Sequence, residues 1–188
     1  MDDITSTNPV AVGDKVVIEP EPETENSAMI NEILDRRNYI NRQSPRFKYQ
    51  HHIIAANLDQ AMLIATLKEP KTSQGFIDRF LVASEMYHVT PLIIFNKADL
   101  YKKGELEKFE LWKQMYERID YKVLLISVME NTGIKEVKEL LYNKTTLISG
   151  HSGVGKSSLM NMIFPDMKLK TQEVSGWSGK GQHTTTFA

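Results

Sequence analysis

Cysteine is absent from the sequence. That excludes disulfide cross-links and thiolate metal sites within these residues and leaves stability to packing and polar contacts. No apolar run approaches the ~20 residues that a membrane-spanning helix needs. The opening residues, Met1-Asp2-Asp3-Ile4-Thr5, are acidic and polar and lack the basic and apolar regions of a signal peptide. A soluble cytoplasmic protein is expected. Net charge is nearly absent too: 23 Lys and Arg against 24 Asp and Glu leave −1. No global field then draws the chain to nucleic acid, and any such contact must come from a local patch. No repeat of solenoid period is visible. What remains is a chain of 188 residues, 41% hydrophobic and 25% charged, enough for a sizeable core in one or two domains.

The most informative stretch is Gly150-His151-Ser152-Gly153-Val154-Gly155-Lys156-Ser157-Ser158, which matches G-x-x-x-x-G-K-[ST]. The apolar run Thr145 to Ser149 before it reads as a buried strand, and Lys156 to Phe164 after it reads as a helix closed by Pro165. A strand, a glycine-rich turn and a helix N-terminus together form an anion site. Gly150, Gly153 and Gly155 let backbone N–H groups turn inward toward phosphate oxygens. Lys156 can reach the β- and γ-phosphates, and the Ser157 hydroxyl can ligate Mg²⁺. A chance match is expected in about one chain in a hundred of this length, and the flanking strand and helix reduce that further.

A second motif addresses the base. Pro91-Leu92-Ile93-Ile94-Phe95 reads as a central parallel strand and ends in Asn96-Lys97-Ala98-Asp99. This resembles the N-K-x-D box of GTPases. A carboxylate accepts two hydrogen bonds side by side, and guanine offers adjacent donors at N1 and its 2-amino group. Adenine would leave that carboxylate unpaired, and a site built on such pairing rejects it strongly. Asn96 would hold the loop and the Lys97 stem would cover the base. A third, softer motif follows the strand Tyr121 to Ile126: Ser127-Val128-Met129-Glu130-Asn131-Thr132-Gly133. It is similar to the S-A-K box, which contacts guanine O6 through a backbone N–H, with Val128 and Met129 in place of Ala and Lys. An ordinary strand-to-helix turn is the other reading of that segment.

The order is rotated. In ordinary GTPases the phosphate loop precedes N-K-x-D; here it follows. The chain thereby resembles the circularly permuted GTPases that depend on the small ribosomal subunit, the RsgA, YjeQ or EngC family. The resemblance runs from Asn8-Pro9-Val10-Ala11-Val12-Gly13-Asp14-Lys15-Val16 through Ala55-Ala56-Asn57-Leu58-Asp59-Gln60 to the end of the chain. Gly179-Lys180-Gly181-Gln182-His183-Thr184-Thr185-Thr186 is similar to the family's switch segment, G-x-G-x-H-T-T. It implies an α/β fold, a permuted P-loop GTPase domain over 53–188, behind a partial oligonucleotide-binding (OB) β-barrel and linker over 1–52. It implies GTP/GDP and Mg²⁺ as ligands, hydrolysis of GTP to GDP and phosphate, and a monomer acting on the small ribosomal subunit and its rRNA in late maturation, away from any membrane.

The first 52 residues are read more loosely. Lys15 to Ile18 and Ala28 to Ile33 look like short strands around the acidic, proline-broken stretch Glu19 to Glu25, a solvated connection. Arg36 to His52 carries Arg36, Arg37, Arg42, Arg46 and Lys48 with no acidic residue, and Tyr39, Phe47 and Tyr49 are interleaved. Two readings stand: phosphate contact with base stacking on RNA, or a barrel strand whose aromatics face a core. From about residue 53 strands and helices alternate, with a strand at Ala61 to Leu67 and an amphipathic helix at Gly75 to His88. A helix at Glu105 to Arg118 places Leu106, Phe109, Trp112 and Tyr116 on one side, and another carries Ile134, Val137 and Leu141. Alternation implies a parallel sheet with ligands at the strand C-terminal ends.

From the resemblance, Thr184 or Thr185 would meet the γ-phosphate and Mg²⁺, ordering the switch with GTP. His183 is a candidate for orienting the attacking water; an exposed loop histidine or a ribosome contact are its other readings. The chain departs from the family in three ways. The first barrel strands are missing, no D-x-x-G segment follows the switch, and the C-terminal zinc domain has no ligands here. A fragment truncated at both ends is therefore expected, with inefficient turnover by this chain alone. An RNA-binding module with a vestigial nucleotide site, or a P-loop ATPase, are the alternatives.

Overall fold

The structure, a computed structural model, describes residues 10–21, 27–43 and 51–170. Its centre is a four-stranded, all-parallel sheet built from β5 (Gln60–Ala65), β6 (Thr90–Phe95), β7 (Lys122–Leu125) and β8 (Thr146–Ser149) in the order β7-β6-β5-β8. Around it lie α1 (Gln74–Met86), α2 (Lys103–Glu117), α3 (Ile134–Leu141) and α4 (Lys156–Ile163). Every residue of β5 is buried, which explains its unbroken apolar sequence: a central parallel strand is covered on both faces. The pleat sorts its side chains. Leu63 and Ala65 join α1's Ile77 and Leu81 and α2's Phe109, Trp112 and Tyr116. Met62 and Ile64 join α3's Ile134 and Val137 and α4's Leu159 and Met160. The sheet is thus the middle of three layers, with α1 and α2 on one side and α3 and α4 on the other.

Most sheet-domain elements lie where the sequence places them, displaced by one or two residues at their ends. Leu106 departs: it is 41% exposed. At 100° per residue it lies about a quarter turn from the arc shared by Phe109, Trp112 and Tyr116, so its spacing mimics the buried face without joining it. His88 likewise is exposed rather than on the α1 face, because the helix stops at Met86 and His88 takes a left-handed backbone (φ 55°).

Strand order fixes where the loops converge. The chain runs outward from β5 to β6 to β7, then crosses back to place β8 on the far side of β5. The C-terminal ends of β5 and β8 therefore carry connections that leave in opposite senses, a crevice where α/β sheets bind ligands.

The N-terminal strands form two separate antiparallel ribbons among the described residues: β1 (Val16–Pro20) with β2 (Ala28–Ile33), and β3 (Tyr39–Gln43) with β4 (His51–Ala56). A single parallel bridge, Val12 to Ala55, joins the preceding segment to β4. Polar ties fasten them to the sheet domain. Asn38 Nδ2 donates to the Leu58 and His88 carbonyls and Asn38 Oδ1 accepts from the Leu58 N–H. Tyr87 donates its hydroxyl proton to Asn41 Oδ1 at 2.6 Å and its ring packs on Tyr39, centroids 5.1 Å apart. A small apolar cluster of Ile40, Ala55, Leu58, Ala61 and Val89 lies beneath.

Candidate functional site

The phosphate-loop motif leaves β8 and enters α4. Gly153 (φ 81°) and Gly155 (φ 95°) take the left-handed conformations that side chains resist. A Cβ on Gly150 would collide with the Ile64 carbonyl, and one on Gly155 with Asn96 Nδ2. The cradle can therefore be lined only by bare backbone at these points. Val154 points the other way, into the core beside Leu159. Lys156 opens α4 and curls back over the loop, its ammonium donating to the carbonyls of Gly150 at 2.9 Å and His151 at 2.8 Å. Burial lowers its pKa. Ser157 and Ser158 are half-buried in the first turn, as is Ser152 in the loop. The His151 ring stacks on Phe76 of α1 at 4.0 Å between centroids. Its pKa is lowered by burial first, then by the charges of Lys156 and Arg79.

Asn96 joins the three motifs. It is buried at the end of β6, where its N–H donates to the Ala65 carbonyl at 2.9 Å. Its Nδ2 donates to the Val154 carbonyl of the phosphate loop at 2.9 Å. Its Oδ1 accepts the Val128 N–H, from the S-A-K-like turn, at 3.3 Å. The resemblance assigns a backbone N–H of this turn to guanine O6; the Val128 N–H here faces Asn96. Lys97 is left-handed (φ 67°, ψ 39°) and its ammonium donates to the Glu69 carbonyl at 2.6 Å; burial lowers its pKa. The Ala98 N–H donates to the Ile126 carbonyl. Asp99 is exposed, and its Oδ1 accepts the Ser127 hydroxyl at 2.5 Å. Ser127, fully buried, pairs through its backbone with Thr132 in both directions, and its Oγ accepts the Glu130 N–H. The S-A-K-like turn is thus what aims the Asp99 carboxylate.

The basic stretch is not gathered into one patch among the described side chains. Arg36 is bidentate on Asp14, Nε to Oδ1 at 2.6 Å and Nη2 to Oδ2 at 2.7 Å, and the Asp14 side chain is only 1% exposed. The Arg36 guanidinium holds the Asp14 carboxyl below the usual range. Arg37 donates to Asp59 Oδ1 at 2.9 Å and to the Asn57 and Leu58 carbonyls. Asp59 in turn accepts the N–H of Thr145, the residue before β8. Arg37 therefore serves the junction between the ribbons and the sheet, while Arg36 ties the segment before β1 to the connection between β2 and β3. The side chain of Arg42, and Arg46 and Lys48, lie outside the described residues, as do His183, Thr184 and Thr185.

Sequence reasoning missed Tyr101, Thr66, Thr72, Glu69 and Phe76. They carry no motif: Thr66, Glu69 and Thr72 lie on the loop after β5, which emerges between the two motif-bearing strands, Phe76 lies in the first turn of the helix that follows it, and Tyr101 comes just after N-K-x-D.

Comparison with known proteins follows the same lines. The family model for RsgA GTPase matches residues 33–188. Small ribosomal subunit biogenesis GTPase RsgA 2 of Bacteroides thetaiotaomicron is 50% identical over 185 residues, covering 98% of this chain and 59% of that protein. Small ribosomal subunit biogenesis GTPase RsgA of Flavobacterium psychrophilum is 45% identical over 189 residues, covering 100% of this chain and 58% of that one. The crystal structure of YjeQ from Thermotoga maritima matches with a TM-score of 0.71 and 34% identity over 92% of this chain and 58% of that one. That of YloQ, a circularly permuted GTPase, matches at 0.63 and 31%, over 95% and 58%. The chain spans just under three fifths of the length of these relatives.

Proposed function

The chain belongs to the RsgA GTPase family, and on that premise we propose that its strand-end loops bind GTP and GDP with Mg²⁺, that the whole protein hydrolyses GTP to GDP and phosphate, and that it acts on the small ribosomal subunit in late maturation. The observation that carries the reading is Asn96, whose one side chain bridges the phosphate loop and the S-A-K-like turn while its backbone opens N-K-x-D. A base reader and a phosphate reader locked in one register fit a single nucleotide.

In this reading the N–H groups of residues 150–155 would surround the phosphates, Lys156 would exchange its loop carbonyls for β- and γ-phosphate oxygens, and Ser157 would hold the metal. Glycine at 150 and 155 lets the loop close against Ile64 and Asn96, and a tight glycine turn of this kind suits an anion. Mg²⁺, when bound, neutralises charge on the transferred phosphoryl group. Asp99, aimed by Ser127, accepts from guanine N1 and the 2-amino group, and the Lys97 stem lies on the ring. Thr184 or Thr185 would meet the γ-phosphate and the metal, and His183 would orient the water. We place the division between a partial OB-type barrel and a circularly permuted GTPase domain at residues 52 and 53, inside β4. RNA contact falls to the basic stretch, through Arg37, whose side chain is 59% exposed, and through Arg42, Arg46 and Lys48, while Arg36 is engaged by Asp14 within the N-terminal region. A cytoplasmic monomer suits this role; among the described residues no helix is long and apolar enough to cross a membrane.

Phosphate release from GTP and from ATP, measured on the full-length protein with and without purified small ribosomal subunits, tests the proposal. Slow GTP turnover accelerated by the subunits is expected. Equal turnover of ATP, or no response to the subunits, contradicts it. Asp99→Asn should weaken GDP binding by roughly 10–100-fold through loss of charge-assisted bonds to the base and leave the ADP affinity where it was.

A further inference from the structure

We infer that Tyr101 is a positioning residue for guanine selection: its hydroxyl ties the base-reading segment at Asn96 to the loop 66–73, and that loop supplies the carbonyl that holds Lys97. The inference rests on the nucleotide reading above and extends it to residues outside the three motifs.

Tyr101 lies two positions beyond Asp99 and is 8% exposed. Its hydroxyl accepts the Leu67 N–H and donates to the Asn96 carbonyl, each at 2.8 Å. Burial pushes the phenol up to about 12, so the proton stays on the oxygen and remains available to Asn96. The loop it grips is closed on itself. The Thr66 hydroxyl donates to the Pro70 carbonyl, the Thr66 N–H donates to Thr72 Oγ1 at 3.0 Å, and the Thr72 N–H returns to the Thr66 carbonyl at 2.7 Å. Both threonines are fully buried. Inside this closure sits Glu69, whose carbonyl accepts the Lys97 ammonium.

A lysine stem anchored only at its backbone samples many rotamers. This one is fixed at both ends, by its left-handed backbone and by Glu69, and so lies along one line across the base-reading loop. The Tyr101 oxygen sets the distance between those two anchors. Without it, the Leu67 N–H and Asn96 carbonyl lose a shared partner in buried surroundings, and the segment 96–99, with the Asp99 carboxylate that reads the 2-amino group, can shift. The phosphate loop is held as well by its own Lys156, bonded to the Gly150 and His151 carbonyls, and by Val154 in the core, so the anion cradle keeps supports that do not pass through Tyr101. Loss of Tyr101 should therefore be felt at the base and little at the phosphates.

The test displaces a fluorescent GDP from the full-length protein with GDP, inosine diphosphate and ADP. Inosine diphosphate lacks only the 2-amino group. The unsubstituted protein should prefer GDP to inosine diphosphate by ~10–100-fold. Tyr101→Phe should shrink that ratio by about tenfold, mostly through weaker GDP binding. Thr72→Val, which removes the acceptor for Thr66, should shrink it in the same direction, and Thr72→Ser, which keeps the hydroxyl, should not. The Thr72 pair decides the matter if Tyr101→Phe does not fold. An unchanged ratio in Thr72→Val and Tyr101→Phe, or parallel weakening of both nucleotides, overturns the inference while a preserved preference for GDP over ADP leaves the nucleotide reading standing. No preference for GDP over ADP in the unsubstituted protein overturns that reading, and the inference with it.

Discussion

Ile93 and Ile18 are both strand isoleucines, yet Ile93 is fully buried between two helical layers and Ile18 is 56% exposed on β1. The contrast extends to the regions around them. The four-stranded sheet is held by continuous apolar packing on both faces. The ribbons leave Val17, Ile18, Met29 and Ile30 exposed and are fastened by directional polar contacts: Arg36 on Asp14, Arg37 on Asp59, Asn38 on Leu58 and His88. Close packing on both faces resists displacement of the layers as a whole, whereas bidentate and multi-acceptor contacts fix single points in orientation. The sheet domain therefore supplies the rigid platform on which strand-end loops meet, and the ribbons are set against it at defined points. One such point, Asp59, also accepts from Thr145, the residue that precedes β8, the strand that leads into the phosphate loop.

Substitutions can break this contrast in order of expected effect. Ile93→Ala should cost about 2–5 kcal/mol by opening a cavity in the central strand, read as a fall in the denaturation midpoint with loss of GDP binding. Arg36→Met should cost about 2 kcal/mol, since the Asp14 carboxylate is left buried without its charge-assisted partner. Its effect should fall on the ribbons first, as faster amide exchange in β1 and β2 ahead of the sheet. Asp14 adds a pH signature. Its folded pKa lies below its unfolded value, so the contribution is present above the unfolded value of about 4 and is lost as pH falls through the folded one. Acid unfolding monitored below pH ~4 should be less steep in Asp14→Asn.

His151 provides a smaller effect with the opposite protonation logic. Its folded pKa is lowered, so the unfolded chain takes up the proton first and stability falls as pH drops below the unfolded value of about 6.5. His151→Gln should flatten the thermal midpoint between pH 7 and pH 5.5, and an unaltered slope would remove His151 from the account. Ile18→Ser should change stability by no more than about 0.5 kcal/mol, as exposed sites do. A loss as large as that of Ile93→Ala would mean that β1 is covered and that the contrast between the regions is wrong.

What the sequence disclosed follows the same division. Where one face or both are buried, residue type reports location, so β5, β6 and the buried arc of α2 were legible from Ala61 to Leu67, Pro91 to Phe95 and Phe109-Trp112-Tyr116. The phosphate loop and N-K-x-D were legible because their chemistry is local: each function needs its residues a few positions apart. Arg36 and Arg37 were ambiguous because their partners lie 22 positions away, beyond any periodicity. Tyr101 was invisible for a related reason. Its role depends on the Leu67 N–H, 34 residues earlier, and no spacing rule predicts which loop a tyrosine hydroxyl will meet. The S-A-K-like turn was read for its backbone, and the structure adds a side-chain role, Ser127 on Asp99.

The central claim is that Asn96 brings a guanine reader and a phosphate reader into one site. Competition at equilibrium tests it most directly: fluorescent GDP is bound to the protein in Mg²⁺ and challenged with unlabelled GDP and ADP. The account predicts displacement by GDP and none by ADP at roughly a hundredfold higher concentration, since an adenine would leave the Asp99 carboxylate unpaired. Equal displacement by the two nucleotides would contradict it.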